Sequence, residues 1–206
     1  MRAATLLLVA ALAAAGCERK PTPDDAIIPP DIQNRPAPSG ETVENPTYKL
    51  WAGFPTGSSV TQRTTTENED NTEKTVTTIT YTLKERTDDH IVVESKATTV
   101  HYTDRVEENP PDQVKTLKVL PLPPGVKKED WGKSPQGAET GEETLTVLGK
   151  EYKCSWVKTK GFTEAGDIYT QNWSSRQMPG GLVRSVSKVP AKKATITVEV
   201  TEVKIP

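Results

Sequence analysis

From Ser58 to the end of the chain, hydrophobic and polar residues alternate in short runs, and clusters of turn-forming residues separate the runs. That is the signature of β-strands resting on a core by one face, because successive side chains in a strand point to opposite sides. Nine such runs can be read: Ser58–Thr66, Lys74–Leu83, His90–Tyr102, Val114–Leu120, Glu143–Leu148, Glu151–Thr159, Asp167–Ser174, Leu182–Lys188 and Ala194–Ile205. Lys74–Leu83 shows the rule most clearly, with Ile79, Tyr81 and Leu83 on one face and Thr78, Thr80 and Thr82 on the other. Pro110-Pro111 reads as a break, and Lys127–Glu142 as a polar connection carrying Trp131. No helical repeat longer than two turns is present, and only a short helix or turn over Tyr48–Phe54 is expected.

The links between runs are too short for crossover helices, so the strands must pair antiparallel. A sheet of nine strands with one buried face should curl. The predicted fold is therefore all-β: about nine antiparallel strands in a strongly curled sheet, as a half-barrel, open barrel or sandwich, with little helix.

The first sixteen residues depart from this pattern. Arg2 is followed by an apolar run from Ala3 to Ala15, interrupted only by Thr5. At about 13 residues the run suits a signal-peptide core and falls short of the roughly 20 needed to span a bilayer. It ends in Ala14-Ala15-Gly16 directly before Cys17, and Glu18-Arg19-Lys20 follows. This boundary resembles the lipobox of bacterial lipoproteins, with Ala14 where the family favours Leu. The resemblance implies cleavage before Cys17, acylation of its thiol and anchoring by several acyl chains. Glu18, in place of the Asp tied to inner-membrane retention, implies sorting to the outer membrane.

Between Cys17 and Thr47 the chain is rich in proline (Pro21, Pro23, Pro29, Pro30, Pro36, Pro38, Pro46) and too sparse in apolar residues for a core. It reads as a disordered, semi-extended tether reaching at most roughly 90 Å. Three parts result: signal peptide 1–16, lipidated tether 17–47 and a single β-rich domain 48–206. The formal charge of −2 divides accordingly, since residues 17–47 hold 3 basic and 6 acidic residues while residues 48–206 hold 22 of each. A neutral domain without a basic run argues against nucleic acid as a partner. Hydrophobic residues are only 33% of the chain and threonines number 29, a balance that favours strands over helix bundles. Once Cys17 is acylated only Cys154 is left, so no internal disulfide can hold the domain together.

Candidate chemistry is scarce. His90 and His101 fall on one strand at opposite facing, and no HExxH, CxxC, G-x-S-x-G or phosphate-loop motif occurs. Cys154 shares a face with Tyr152 and Trp156, the setting of a buried thiol more than of a nucleophile. No catalytic residue, metal site or cofactor is expected. The aromatics offer more: Trp51, Phe54, Tyr81, Trp131, Tyr152, Trp156 and Trp173 either fill the core or line an apolar ligand cavity inside a curled sheet.

Trp51-Ala52-Gly53-Phe54, Gly149-Lys150-Glu151-Tyr152-Lys153-Cys154-Ser155-Trp156 and Trp173-Ser174 before Pro179-Gly180-Gly181-Leu182-Val183 together resemble families of exported bacterial β-rich proteins that carry no assigned activity. At fold level a lipidated curled sheet is also similar to the LolA/LolB-type carriers of lipoproteins. The expectation is a monomeric, non-enzymatic envelope lipoprotein with a binding or structural domain. Its partners would be the membrane through Cys17 and either a hydrophobic small molecule or an envelope protein. A carrier of a lipid or other hydrophobic ligand, and a hydrolase with an unrecognised site, are the alternatives.

Overall fold

The structure, a computed structural model, describes residues 40–69, 74–101, 103–164 and 166–206. The segment expected to be a signal peptide, Cys17 and most of the segment expected to be a tether lie outside the described residues. Eleven strands and one α-helix follow in the order β1 (Thr42–Glu44), α1 (Pro46–Ala52), β2 (Ser59–Asn68), β3 (Lys74–Arg86), β4 (His90–Val100), β5 (Val106–Leu117), β6 (Val119–Pro121), β7 (Glu139–Val147), β8 (Lys150–Thr163), β9 (Gly166–Ser174), β10 (Leu182–Val189) and β11 (Ala194–Lys204). Nine of the strands form one antiparallel sheet in the order β5-β4-β3-β2-β11-β10-β9-β8-β7. The sheet does not close, leaving β5 and β7 as its edges, as in an open half-barrel. The first and last strands of this sheet, β2 and β11, pair in its middle. The link between β5 and β7 therefore runs from one edge to the other.

Three details differ from the sequence reading. Pro110-Pro111 does not break the chain but lies within β5. An edge strand tolerates missing N–H donors, and pairing skips from Asn109 to Asp112 opposite Ala97 and Ser95, so the prolines sit in a bulge. Lys127–Glu142 is polar, as expected, but its last residues already belong to β7. Ordered structure also begins before Tyr48, because β1 pairs with β6 through Val43 and Leu120. The short helix expected over Tyr48–Phe54 is α1. The Asn45 side chain caps it by accepting the Thr47 N–H at 3.0 Å, Pro46 occupies its first turn, and Gly53 ends it.

The core sits at one end of the strands, the end where Ser59 of β2 meets Lys204 of β11. Val60, Leu83, Ile91, Tyr152, Cys154, Trp173, Val183 and Val200 are buried there with Tyr48 and Trp51 of α1 and Met178 of the β9–β10 loop. Polar contacts fix the helix against this base. Tyr48 Oη donates to the Thr87 carbonyl at 2.8 Å, and Arg86 Nη1 donates to the carbonyls of Ala52 and Phe54 at 2.9 and 3.0 Å. Gly181 is required where the loop meets the helix: its φ is +80°, and a Cβ there would lie 2.6 Å from Leu50 Cδ2.

Toward the opposite end the same strands carry threonine, charge and short aliphatics, and apart from Val189 their side chains are half-buried or exposed on both faces. Cross-strand hydroxyl pairs such as Thr77–Thr99 and Thr170–Ser187, at 3.0 and 2.9 Å, take the place of apolar packing.

Candidate functional site

Strand β8 alternates Trp156, Lys158, Lys160 and Phe162; β9 alternates Tyr169, Gln171 and Trp173; β10 alternates Arg184, Val186 and Lys188. Register turns these three sequence patterns into one surface. Trp156 is opposite Trp173 and Trp173 opposite Arg184; Lys158 is opposite Gln171 and Gln171 opposite Val186; Lys160 is opposite Tyr169 and Tyr169 opposite Lys188. Three rows thus share a face, and each places a cation beside an aromatic ring or an amide. The cations lie on the rings: Lys158 Nζ is 5.1 Å from the Trp156 ring centre, Lys160 Nζ 5.5 Å from Tyr169, and the Arg184 guanidinium 5.6 Å from Trp173.

Along this face runs a groove of about 480 Å³ whose lining includes Gly137, Glu139, Lys158, Lys160, Tyr169, Gln171, Trp173, Arg184, Val186 and Lys188. Two of its cations have carboxylate partners, Lys158 with Glu139 at 3.5 Å and Lys160 with Asp167 at 2.7 Å. The hydrogen bond and charge of Asp167, helped by Tyr169, raise the Lys160 ammonium above its ordinary value, so it stays protonated. Arg184 and Lys188 form no ion pair among the described residues. Four cations against Glu139 in the lining and Asp167 beside it leave the site with a net charge of +2.

Two of the aromatics in and beside the groove are held in place by β7. The Trp173 ring is 8% exposed, and its Nε1 donates to a carboxylate oxygen of Glu143 on β7. The Trp156 ring lies over Gly141 of β7, where a Cβ would stand 2.4 Å from the indole. Tyr169 is 45% exposed and its hydroxyl donates to Asp167 at 3.4 Å. Phe162, near the turn beyond, is 82% exposed.

The seven aromatics expected either to fill the core or to line a cavity are distributed as follows. Trp51, Tyr152 and Trp173 are buried in the core, and Phe54, Tyr81 and Trp156 pack against it. Burial raises the phenols of Tyr81 and Tyr152 above their ordinary value. Trp131 stands apart on the edge-to-edge link, its Nε1 donating to the Glu44 carbonyl at 2.8 Å. Of the seven, Trp173 alone lines the groove. Cys154 is 2% exposed; burial pushes its thiol up and the Glu143 carboxylate adds to this, against a backbone hydrogen bond at Leu145 that acts the other way. Among the described residues no three of His, Cys, Asp and Glu are gathered so as to hold a metal ion.

The basic residues of the groove were invisible as a run, because they are contributed by three strands and interleaved with neutral positions. The readable signal was the alternation Trp-x-Lys-x-Lys-x-Phe in β8, repeated more weakly in β9 and β10.

No protein-family model matches the sequence, and no curated protein matches it. Solved structures to which the chain shows similarity include a Bacteroides fragilis protein described as exported and of YmcC-like fold. It is 12% identical, covers 73% of this chain and 97% of its own, and has a TM-score of 0.45. A Parabacteroides distasonis protein described as a lipoprotein is also 12% identical, covers 78% of this chain and 100% of its own, and has a TM-score of 0.43. An outer-membrane lipoprotein-sorting protein domain from Vibrio parahaemolyticus is 9% identical over 72% of this chain and 85% of its own, with a TM-score of 0.24.

Proposed function

We propose that the chain is an envelope lipoprotein, held in the outer membrane through acylated Cys17, whose β-domain is a non-enzymatic binding module displayed on a Pro-rich tether. The observation that carries the binding role is the division of labour within the sheet. Bulky aromatics fill the base, while β8–β10 present a cationic aromatic groove above it. The anchor rests on Cys17 standing where an apolar run of small residues meets charged sequence. A buried Cys154 whose thiol is held protonated is a poor nucleophile, which supports a non-enzymatic role.

Metabolic labelling with palmitate, followed by separation of inner and outer membranes, tests the anchor. The labelled chain is expected in the outer-membrane fraction, and Cys17→Ala is expected to lose both label and membrane association. An unlabelled wild-type chain in the soluble fraction would overturn the assignment.

A further inference from the structure

We infer that the groove on β8–β10 binds an acidic saccharide chain, one whose sugar rings carry carboxylates at intervals; this deepens the binding-module reading above and rests on it. The domain carries 22 basic and 22 acidic residues, so a net +2 over one groove and its rim is a local excess of positive charge on a neutral fold. Arg184 and Lys188 form no ion pair among the described residues, Glu199 opposite Arg184 on β11 being paired with Arg63, so these two groove cations are left to pair with a ligand anion. They stand four residues apart on β10, about 13 Å along the strand, so the anions they would meet are spaced and not contiguous.

Between them the surface is neither purely cationic nor purely apolar. The half-exposed Tyr169 ring, with Lys160 lying over it, adds apolar surface for the C–H side of a pyranose, and the Gln171 amide can both donate to and accept from hydroxyls. Glu139 and Asp167, at the groove and its rim, are acceptors that reward a ligand rich in hydroxyl donors. Those two carboxylates would repel a polyphosphate backbone, which has no donors to offer them and a charge at every repeat. A bilayer of anionic headgroups is flat, whereas this site is a groove crossed by an open sheet. A saccharide chain bearing occasional carboxylates satisfies the cations, the ring, the amide and the acceptors together.

The test uses the full-length chain in neutral detergent micelles, with a hyaluronan oligosaccharide, whose carboxylates fall on alternate rings, as the acidic probe and a chitooligosaccharide of equal length as the neutral one, read by calorimetry and by tryptophan fluorescence. The acidic probe is expected to bind, to weaken as salt is raised, and to perturb tryptophan emission. Arg184→Gln with Lys188→Gln should weaken it at least tenfold. Lys96→Gln, an exposed lysine on β4 remote from the groove, should leave it unchanged, with circular dichroism confirming that each variant folds. Equal binding of both probes, binding confined to phosphatidylglycerol vesicles, or loss of binding in Lys96→Gln to the same degree would overturn the inference. Absence of binding to any of these would do so as well. The membrane anchor is read separately by Cys17→Ala, so failure here and failure there are distinct results.

Discussion

The two ends of the same nine strands are built on different principles. At the base, Val60, Leu83, Ile91 and Val200 meet the buried faces of Tyr48 and Trp51, and the helix is tied down by hydrogen bonds from Tyr48 and Arg86. Toward the other end the neighbours of those residues are threonines and charged side chains, with Val100 and Val106 left 39% and 59% exposed. The strands are continuous through both regions, so backbone pairing alone does not decide stability; apolar area removed from water does. The difference teaches that a polar chain can fold by concentrating its apolar residues in one place. The remaining sheet is then free to carry a surface for recognition.

This division is broken most severely at the base. Leu83→Ala, at a side chain with no exposure, should cost about 2–5 kcal/mol in chemical denaturation, through lost transfer energy and the cavity left behind. A loss under about 1 kcal/mol would mean that the core is not where the fold is held. Next comes the junction between base and groove. Gly141→Ala would place a Cβ against the Trp156 indole and should cost about 1–3 kcal/mol, with a shift in tryptophan fluorescence as the ring is displaced.

Titration sharpens the contrast further. Tyr81 and Tyr152 have phenols raised above the ordinary value of 10.0 by burial, and Cys154 has its thiol raised above 9.0. A raised value in the folded state contributes stability that is complete below the unfolded value and lost as pH climbs through the folded one. The denaturation midpoint should therefore hold steady through neutrality and fall above about pH 9–10. Tyr81→Phe should flatten part of that fall, and an unchanged alkaline limb in the variant would place the loss elsewhere. The smallest effect is expected at the open end. Thr99→Val removes one side of the Thr77–Thr99 hydroxyl pair, but the remaining hydroxyl can turn to water, so the change should stay within about 0.5 kcal/mol.

Much of the fold was legible in the alternation of residues. The nine strands of the sheet, their antiparallel pairing and the open curled architecture follow from period-two patterning and short links, and α1 falls where a short helix or turn was expected, although its start at Asn45-Pro46 was assigned to the tether. β5 was not legible across Pro110-Pro111, since proline ends most strands and only an edge position with a bulge accommodates two. β1 and β6, three residues each, are too short to show a period. The groove escaped for a different reason. Lys158, Lys160, Arg184 and Lys188 become neighbours only through register, and register depends on pairing partners that a single strand does not reveal. The aromatic set was legible as a group, because bulk and burial go together, and it gathers mainly in the core.

Hydrogen exchange followed residue by residue along single strands tests the central claim most directly, because it compares both ends within one element. The amides of Val60, Leu83 and Trp173 should exchange only through global unfolding, while those of Thr65, Val76 and Thr197 on the same strands or their neighbours should exchange through smaller openings. Uniform protection from base to far end would contradict the account.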